Sequence, residues 1–484
     1  MILAIDLGTT NIKAGLYDEA LSLLALNRAA VRYSGENGRV EFDADEYYET
    51  ILSLVAECLS SPAARGHTAQ IVLTGQAESL VVLGKDMRPL CNGISWMDNR
   101  GGDECEELRS RFSGGLRYET TGQPELTCTF PIVKMLWIRR HLPDLFRRAG
   151  RFLLLKDYVQ YRLTGVIAGE HSIYNFSHYF DIRRKAYWNE ILDYCGVDVS
   201  QLPELVEPGT LLGTATEETL VQLGIDRRTT VNVGAVDQFC AMLGTGNIAP
   251  GTLSESCGTV MALATMLKEP VSAFPGIGVH CGPLRNSYVA LLTCESGGSC
   301  LEWYRDNFLA GQAYGEIDRV CESRQMQEEL LFLPYLIGTN APEYNPRLSG
   351  VFFGLRGYHD RFDLARAVME GVACLLRRNI DALGKYADGD IVATGGAAKS
   401  RFWCQLKADF TGRTVKVAKT GEAASLGAAM MGAVSGGMFT DIGNAIQNCV
   451  RIEWEYPPSE NGAYERKYRQ YSELLSLVAS MKKG

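Results

Sequence analysis

Short apolar runs separated by glycine-rich polar turns set the rhythm of the first forty residues. Ile2 to Ile5 is an unbroken apolar run, as in a strand buried on both faces. Ile12, Ala14 and Leu16 alternate with other residues, and a third run covers Leu21 to Leu26, so three strands are expected. The period then changes. Asp45 to Leu59 reads as a helix, and "AQIVLTGQAESLVVL" as a buried strand, a polar turn and another strand. A stretch rich in charges and aromatics, Trp96 to Trp188, interrupts the alternation of strands and helices and reads as an inserted subdomain. Within it, "PIVKMLWIRRHLPDLF" predicts an amphipathic helix. "TTVNVGAVDQFCAMLGTGNI" predicts a strand, a turn over Gly234 to Asp237 and a helix of small residues.

The opening pattern returns at "GTLSESCGTVMALAT". Asp6-Leu7-Gly8-Thr9-Thr10 aligns with Ser256-Cys257-Gly258-Thr259-Val260, so two similarly built halves are expected. Further on, "RFDLARAVMEGVACLLRRNIDAL" is a long helix with Asp363 in capping position, and "DIVATGGAAKSRFWCQLKADFTG" is a strand, a Gly-Gly turn and a helix starting near Lys399. "GEAASLGAAMMGAV" predicts a helix able to pack very closely, and Ala463 to Met481 a charged helix with a solvated face.

The first of the repeated turns carries a carboxylate, a glycine and two hydroxyls. Those groups suit a phosphate and its metal ion, because Gly8 lets backbone approach while Thr9 and Thr10 donate hydrogen bonds. An ordinary hairpin turn is the plainer reading of either copy taken alone. Two such turns facing one another would clamp a nucleotide. The glycine pair Gly395-Gly396 at a helix start likewise suits a flat or phosphorylated ligand.

Composition narrows the classes. At 484 residues, 46% hydrophobic and with 50 glycines against 16 prolines, the chain fits a two-domain α/β enzyme. A net charge of −9 and the lack of a long basic run argue against nucleic acid and anionic membrane as partners. No apolar run approaches the ~18 residues of a membrane span. The fourteen cysteines include no C-x-x-C pair, and the N-terminus lacks a basic stretch followed by a long apolar one. Reduced, mostly buried thiols in a cytoplasmic protein are therefore expected. No G-x-G-x-x-G follows a strand, which argues against a nicotinamide-binding enzyme.

Five segments spread along the chain resemble the FGGY family of carbohydrate kinases, within the actin/hexokinase superfamily. "DLGTTNIKAGLYD" looks like the family's first phosphate motif, "SESCGTVMALA" its second, and "TGGAAKSRFWCQLKADFTGRTV" its adenosine motif. "PIVKMLWIRRH" resembles one signature, with Thr129 standing where glycine or an aromatic is usual, and "GVFFGLRGYHDRFDLARAVME" resembles the other throughout. "FLPYLIGTNAPEYNPRLSGVFFGL" and "ESGGSCLEW" are most similar to the family's xylulokinases. One departure bears on substrate: those kinases carry Gln-Met-His-Gly where this chain has Gln76-Ala77-Glu78-Ser79, and "VDQF" is similar to the Asp-Gln pair of glycerol kinases.

The resemblance implies two actin-like (RNase H-like) α/β domains, 1–245 and 246–484, flanking a deep cleft for nucleotide and sugar. It implies ATP and Mg²⁺ as cofactors and a small sugar or polyol as substrate, a ketopentose before a glycerol- or erythritol-type polyol. A homodimer is compatible with it. Carried over residue by residue, Asp237 becomes the catalytic base, Asp6 the Mg²⁺ ligand, and Thr9, Thr10, Gly258, Thr259, Gly395, Gly396 and Ala397 the ATP contacts. On the sugar side stand Gln76, Glu78, Trp96, Asp98, Asp237 and Gln238. Lys13 and Arg100 read equally well as structural. An actin-like ATPase without sugar transfer is the alternative class, and the same fold serves it.

Overall fold

A computed structural model of the chain describes residues 1–62, 64, 68–270, 276–460 and 462–481. The first half is built on β1 (Ile2–Leu7), β2 (Asn11–Tyr17), β3 (Leu23–Ala30), β4 (Gln70–Gly75) and β5 (Thr230–Val236). β1 pairs antiparallel with β2 and β2 with β3, whereas β1 and β5 run parallel to β4 between them. The second half repeats the plan with β6 (Leu253–Cys257), β7 (Met261–Leu267), β8 (Tyr288–Cys294), β9 (Ile391–Thr394) and β10 (Val415–Ala418). Here β6–β7 and β7–β8 are antiparallel, β6–β9 and β9–β10 parallel. The orders 5-4-1-2-3 and 10-9-6-7-8 are the same. The duplication suggested by two short turns therefore extends through five strands.

Side-chain alternation gives each sheet two buried faces. From β1, Leu3, Ile5 and Leu7 enter a core shared with the helix Ala44–Leu59, while Ile2 and Ala4 face the other way. That second core is closed by two helices, Asp237–Gly244 and Ala423–Ser435, which follow β5 and β10 and cross where the halves meet. The crossing is as tight as backbones allow. A Cβ on Gly427 would run into the Cys240 carbonyl, and one on Gly244 into the Ala423 carbonyl.

Several local expectations are corrected. "PIVKMLWIRRHLPDLF" forms two helices, Pro131–His141 and Pro143–Arg148, broken at Leu142 because Pro143 cannot continue the first. The first is buried continuously from Pro131 to Ile138, not along one stripe. Nor is Trp96–Trp188 self-contained: Ala149–Leu154 pairs with Leu80–Gly84, and Leu155–Thr164 packs beneath the first sheet. The turn read over Gly234–Asp237 is a bulge within β5, with Gly234 at φ 61°, and the helix begins at once on Asp237. Asp360, not Asp363, caps the helix Arg361–Leu383. Asp363 returns the bond to the Asp360 N–H in a capping box. The C-terminal helix Gly462–Met481 has a buried side, where Lys467 pairs with Glu370 at 2.5 Å and Tyr471 meets Tyr335.

The glycine crossing is open to a direct check. Gly427→Ala should lower unfolding stability by about 1–3 kcal/mol, the usual cost of overpacking. Gly115→Ala, in a helix where a Cβ meets nothing within 4 Å, should be neutral or stabilise by up to ~1 kcal/mol. Equal losses in urea unfolding would contradict the close crossing.

Candidate active site

The carboxyl ends of three neighbouring parallel strands, β1, β4 and β5, deliver the polar residues to one place. Asp6 sits beside Thr74, Thr74 beside Ala235, and Gln76 and Asp237 follow immediately after their strands. Two strand spacings put Asp6 and Asp237 on the order of 10 Å apart along the sheet. Asp6 shares the face of Ile2 and Ala4, toward the crossing helices. It is buried, and its Oδ1 has no hydrogen-bond partner among the described residues. Burial, then the charge of Asp237, push its carboxyl up to about 7 against the pull of Lys13. Asp237 stands at the first position of its helix and accepts one hydrogen bond, from the Gln238 N–H at 2.6 Å. Burial raises its pKa too, and that N–H and the Lys156 ammonium oppose the shift. Gln238 itself is exposed.

The two hairpin turns and the Gly395-Gly396 turn carry the remaining residues expected to contact ATP. Gly8 is sterically required, since a Cβ there would lie 2.5 Å from the Asn11 carbonyl oxygen. Thr9 is half-buried and Thr10 exposed. In the second half, Gly258, Thr259, Gly396 and Ala397 line a cavity of about 430 Å³ together with Leu301, Asp318 and Trp403. At Gly258 and Gly396 a Cβ would meet no protein atom within 4 Å, so both present bare backbone to that space. Gly395 has a different task. Its φ of 81° turns the chain, and a Cβ would lie 2.7 Å from the Cys257 carbonyl oxygen.

Glu78 occupies a strained position. Ser79 N–H donates to the Ala77 carbonyl at 2.9 Å, closing a three-residue turn with Glu78 at φ 71°. A non-glycine residue held there costs of order 1–3 kcal/mol, and such strain concentrates at functional sites. Burial pushes its carboxyl up to about 7, opposed by the Lys134 ammonium and by Thr129, whose hydroxyl donates at 3.4 Å. Gln76 is buried, accepts from Ser79 Oγ at 3.0 Å and reaches the Gly8 carbonyl at 3.5 Å. Trp96 is half-buried, and its Nε1 donates to Thr9 Oγ1 at 2.9 Å.

Asp98 departs from expectation. It is fully buried, and both its oxygens are occupied by Arg100 and the Val40 N–H, so it braces the loop and is not exposed to a substrate. Arg100 is accordingly structural, bridging Asp98 and Glu41. Lys13 pairs with Glu422 at 2.7 Å, tying β2 to the start of the helix Ala423–Ser435.

The FGGY family of carbohydrate kinases matches in both its domains, the N-terminal over residues 1–244 and the C-terminal over residues 253–436. The chain belongs to this family. As an FGGY kinase it transfers phosphate to a small sugar-type acceptor, and its family implies ATP as donor. It is 28% identical to a xylulose kinase of Staphylococcus epidermidis over 490 residues, 99% of this chain and 97% of that one. It is 26% identical to a gluconokinase of Bacillus licheniformis, over 100% and 96% of the two chains. Its structure matches ligand-bound xylulose kinase from Lactobacillus acidophilus with a TM-score of 0.92 and 25% identity, covering 99% and 98%. No helix among the described residues is long and apolar enough to cross a membrane, and all fourteen cysteines are free thiols.

Sequence reasoning missed three features of this FGGY site. Lys156 is wholly buried, bonded to Glu170 at 2.9 Å and to the Val233 carbonyl at 2.8 Å, and Glu170 holds Ser172, whose Oγ receives the Val236 N–H. This network fixes the end of β5 directly before Asp237. Lys134 and Asp318 were also passed over. A lysine inside an apolar run, as in "PIVKMLWI" and "FLLLKDYV", is the signal that marks two of the three.

Because the Asp6 carboxyl titrates near 7 in the folded state, above its ordinary 3.8, its protonated form is the one the fold accommodates. That contribution is complete below about pH 4 and disappears as pH rises through 7. Without metal, Asp6→Asn should therefore gain stability over the unsubstituted protein by about 2–4 kcal/mol more at pH 8 than at pH 4. A difference that does not vary with pH in urea unfolding would contradict the burial of an unpartnered charge.

Proposed function

We propose that this FGGY kinase phosphorylates a ketopentose, with a four- or five-carbon polyol as the next best acceptor, using Asp237 as general base. The observation that carries the reading is that the Asp237 carboxylate, at the end of β5, makes no ion pair among the described residues, and Glu78, strained beside Lys134, supports the choice of acceptor. A polyol hydroxyl is a weak nucleophile. In the transfer, its oxygen forms a bond to the γ-phosphorus, the bond from that phosphorus to the β-phosphate oxygen breaks, and the hydroxyl proton passes to Asp237. Thr9, Thr10, Gly258 and Thr259 meet the phosphates from the two hairpins, and Gly395, Gly396 and Ala397 flank the adenosine.

Asp6 fits a Mg²⁺ ligand: its buried Oδ1 lacks a partner among the described residues, and burial and the Asp237 charge raise its pKa more than Lys13 lowers it. Mg²⁺ bound there supplies neutralisation of the phosphate charge, as a carboxylate plus phosphate oxygens usually arrange. Drawing the halves together excludes water and limits loss of ATP to hydrolysis. The free thiols suit the reducing cytoplasm.

Substrate choice turns on Glu78. Above about pH 7, where the Glu78 carboxyl is ionised, it only accepts hydrogen bonds, so it suits an acceptor rich in hydroxyl donors and repels an aldonate such as gluconate. Ala77 leaves room where glycerol kinases place arginine, which favours an acceptor longer than glycerol.

The test is an ATP-dependent phosphorylation screen over D-xylulose, D-ribulose, erythritol, xylitol, glycerol and gluconate, read by product mass. A ketopentose should give the highest kcat/KM, with gluconate at least tenfold lower. Glu78→Gln and Glu78→His should each reorder the acceptors. Gluconate as best acceptor would overturn the substrate reading, and an unchanged ranking in both variants would remove Glu78 from the acceptor site.

A further inference from the structure

The acceptor loop and the first phosphate hairpin are joined by a continuous chain of hydrogen bonds. Ser79, which closes the turn at Glu78, donates from Oγ to Gln76 Oε1 at 3.0 Å and receives the Trp96 N–H at 3.2 Å. Trp96 then donates from its indole Nε1 to Thr9 Oγ1 at 2.9 Å. The segment cannot easily drift. The carbonyl of Ser95, the preceding residue, accepts from the buried Lys134 ammonium at 2.6 Å, and the Thr9 carbonyl accepts from Tyr33 OH at 2.9 Å.

A threonine hydroxyl has one proton and two lone pairs. The indole can only donate, so it occupies a lone pair and leaves the proton to point elsewhere. Among the described residues that proton has no protein acceptor. Trp96 was expected among the sugar contacts, yet its polar atom is spent on the phosphate hairpin.

We propose that Trp96 is a positioning residue for phosphoryl transfer: its N–H orients the Thr9 hydroxyl so that the proton is presented to the terminal phosphate of ATP. This rests on the reading of Thr9 as a phosphate contact. It gives the acceptor loop a route to the phosphate site, because Ser79 holds both the Glu78 turn and the Trp96 backbone. A hydroxyl already aimed at an anion loses less freedom when the charge-assisted bond forms.

The test is a double-mutant cycle with the best acceptor, measuring kcat and both KM values for Trp96→Phe, Thr9→Val and the pair. Phe keeps an aromatic ring but removes the donor with the rest of the indole; a loss from volume alone would not depend on Thr9 and would multiply in the pair. Trp96→Phe should lower kcat about tenfold while the acceptor KM stays within twofold, and the pair should be no slower than Thr9→Val alone. In a Thr9→Ser background, which keeps the hydroxyl, Trp96→Phe should again cost about tenfold. A raised acceptor KM at unchanged kcat would put the indole N–H on the acceptor and overturn the proposal. So would losses that multiply in the pair. An unsubstituted protein that phosphorylates no acceptor would overturn the functional reading and this proposal together, whereas an active one with multiplying losses overturns this proposal alone.

Discussion

The two halves of this kinase meet through a helix crossing with no side chains at its centre. Gly244 and Gly427 each leave a gap that the other helix's backbone fills, so Asp237–Gly244 and Ala423–Ser435 lie in direct backbone contact. Everything polar at the site is referenced to that contact. One helix starts with Asp237, the other just after Glu422, whose partner Lys13 lies beside Asp6 in the β1–β2 register. A side chain at the crossing would separate the helices and move Asp237 away from the hairpin at Gly8. Small residues are required here by geometry, not merely tolerated as core.

The charge arrangement around the crossing costs stability. Asp6 and Glu78 are both held where burial raises their pKa, and Glu78 adds backbone strain. Structural charges in the same halves are handled in the opposite way. Lys156–Glu170 and Lys407–Glu255 are fully buried, but each is paired at 2.9 Å and 2.6 Å respectively. A paired buried charge is rarely a large net gain, yet losing one partner is severe, so such pairs serve to fix strand ends in place. The contrast is one of pairing: ion-paired lysines brace β5 and β6, whereas Asp6 and Glu78 make no ion pair of that kind among the described residues.

Features written in local sequence were legible. Each hairpin is a strand, a Gly-Thr turn and a strand within about fifteen residues, and its repetition exposed the duplicated halves. The glycine pair after β9 and the small-residue helix were legible for the same reason. What failed depends on tertiary neighbours. Asp98 and Glu78 are both carboxylates in polar turns, and only the folded chain shows Arg100 saturating one while Lys134 faces the other. "PIVKMLWIRRHLPDLF" read as one amphipathic helix, yet its Lys134 is buried and bonded to two carbonyls. The C-terminal helix misled in the same way, its Lys467 being turned inward to Glu370.

The central claim is that Asp237 accepts the proton in a phosphoryl transfer made at the junction of the halves. Asp237→Asn keeps the shape and the place at the helix start while removing the basic oxygen. On the best acceptor its kcat should fall by ~10² or more, the usual contribution of a general base, with the dissociation constant for ATP within a few-fold of the unsubstituted protein. A variant with near-normal kcat would contradict the account, whatever its affinity for ATP.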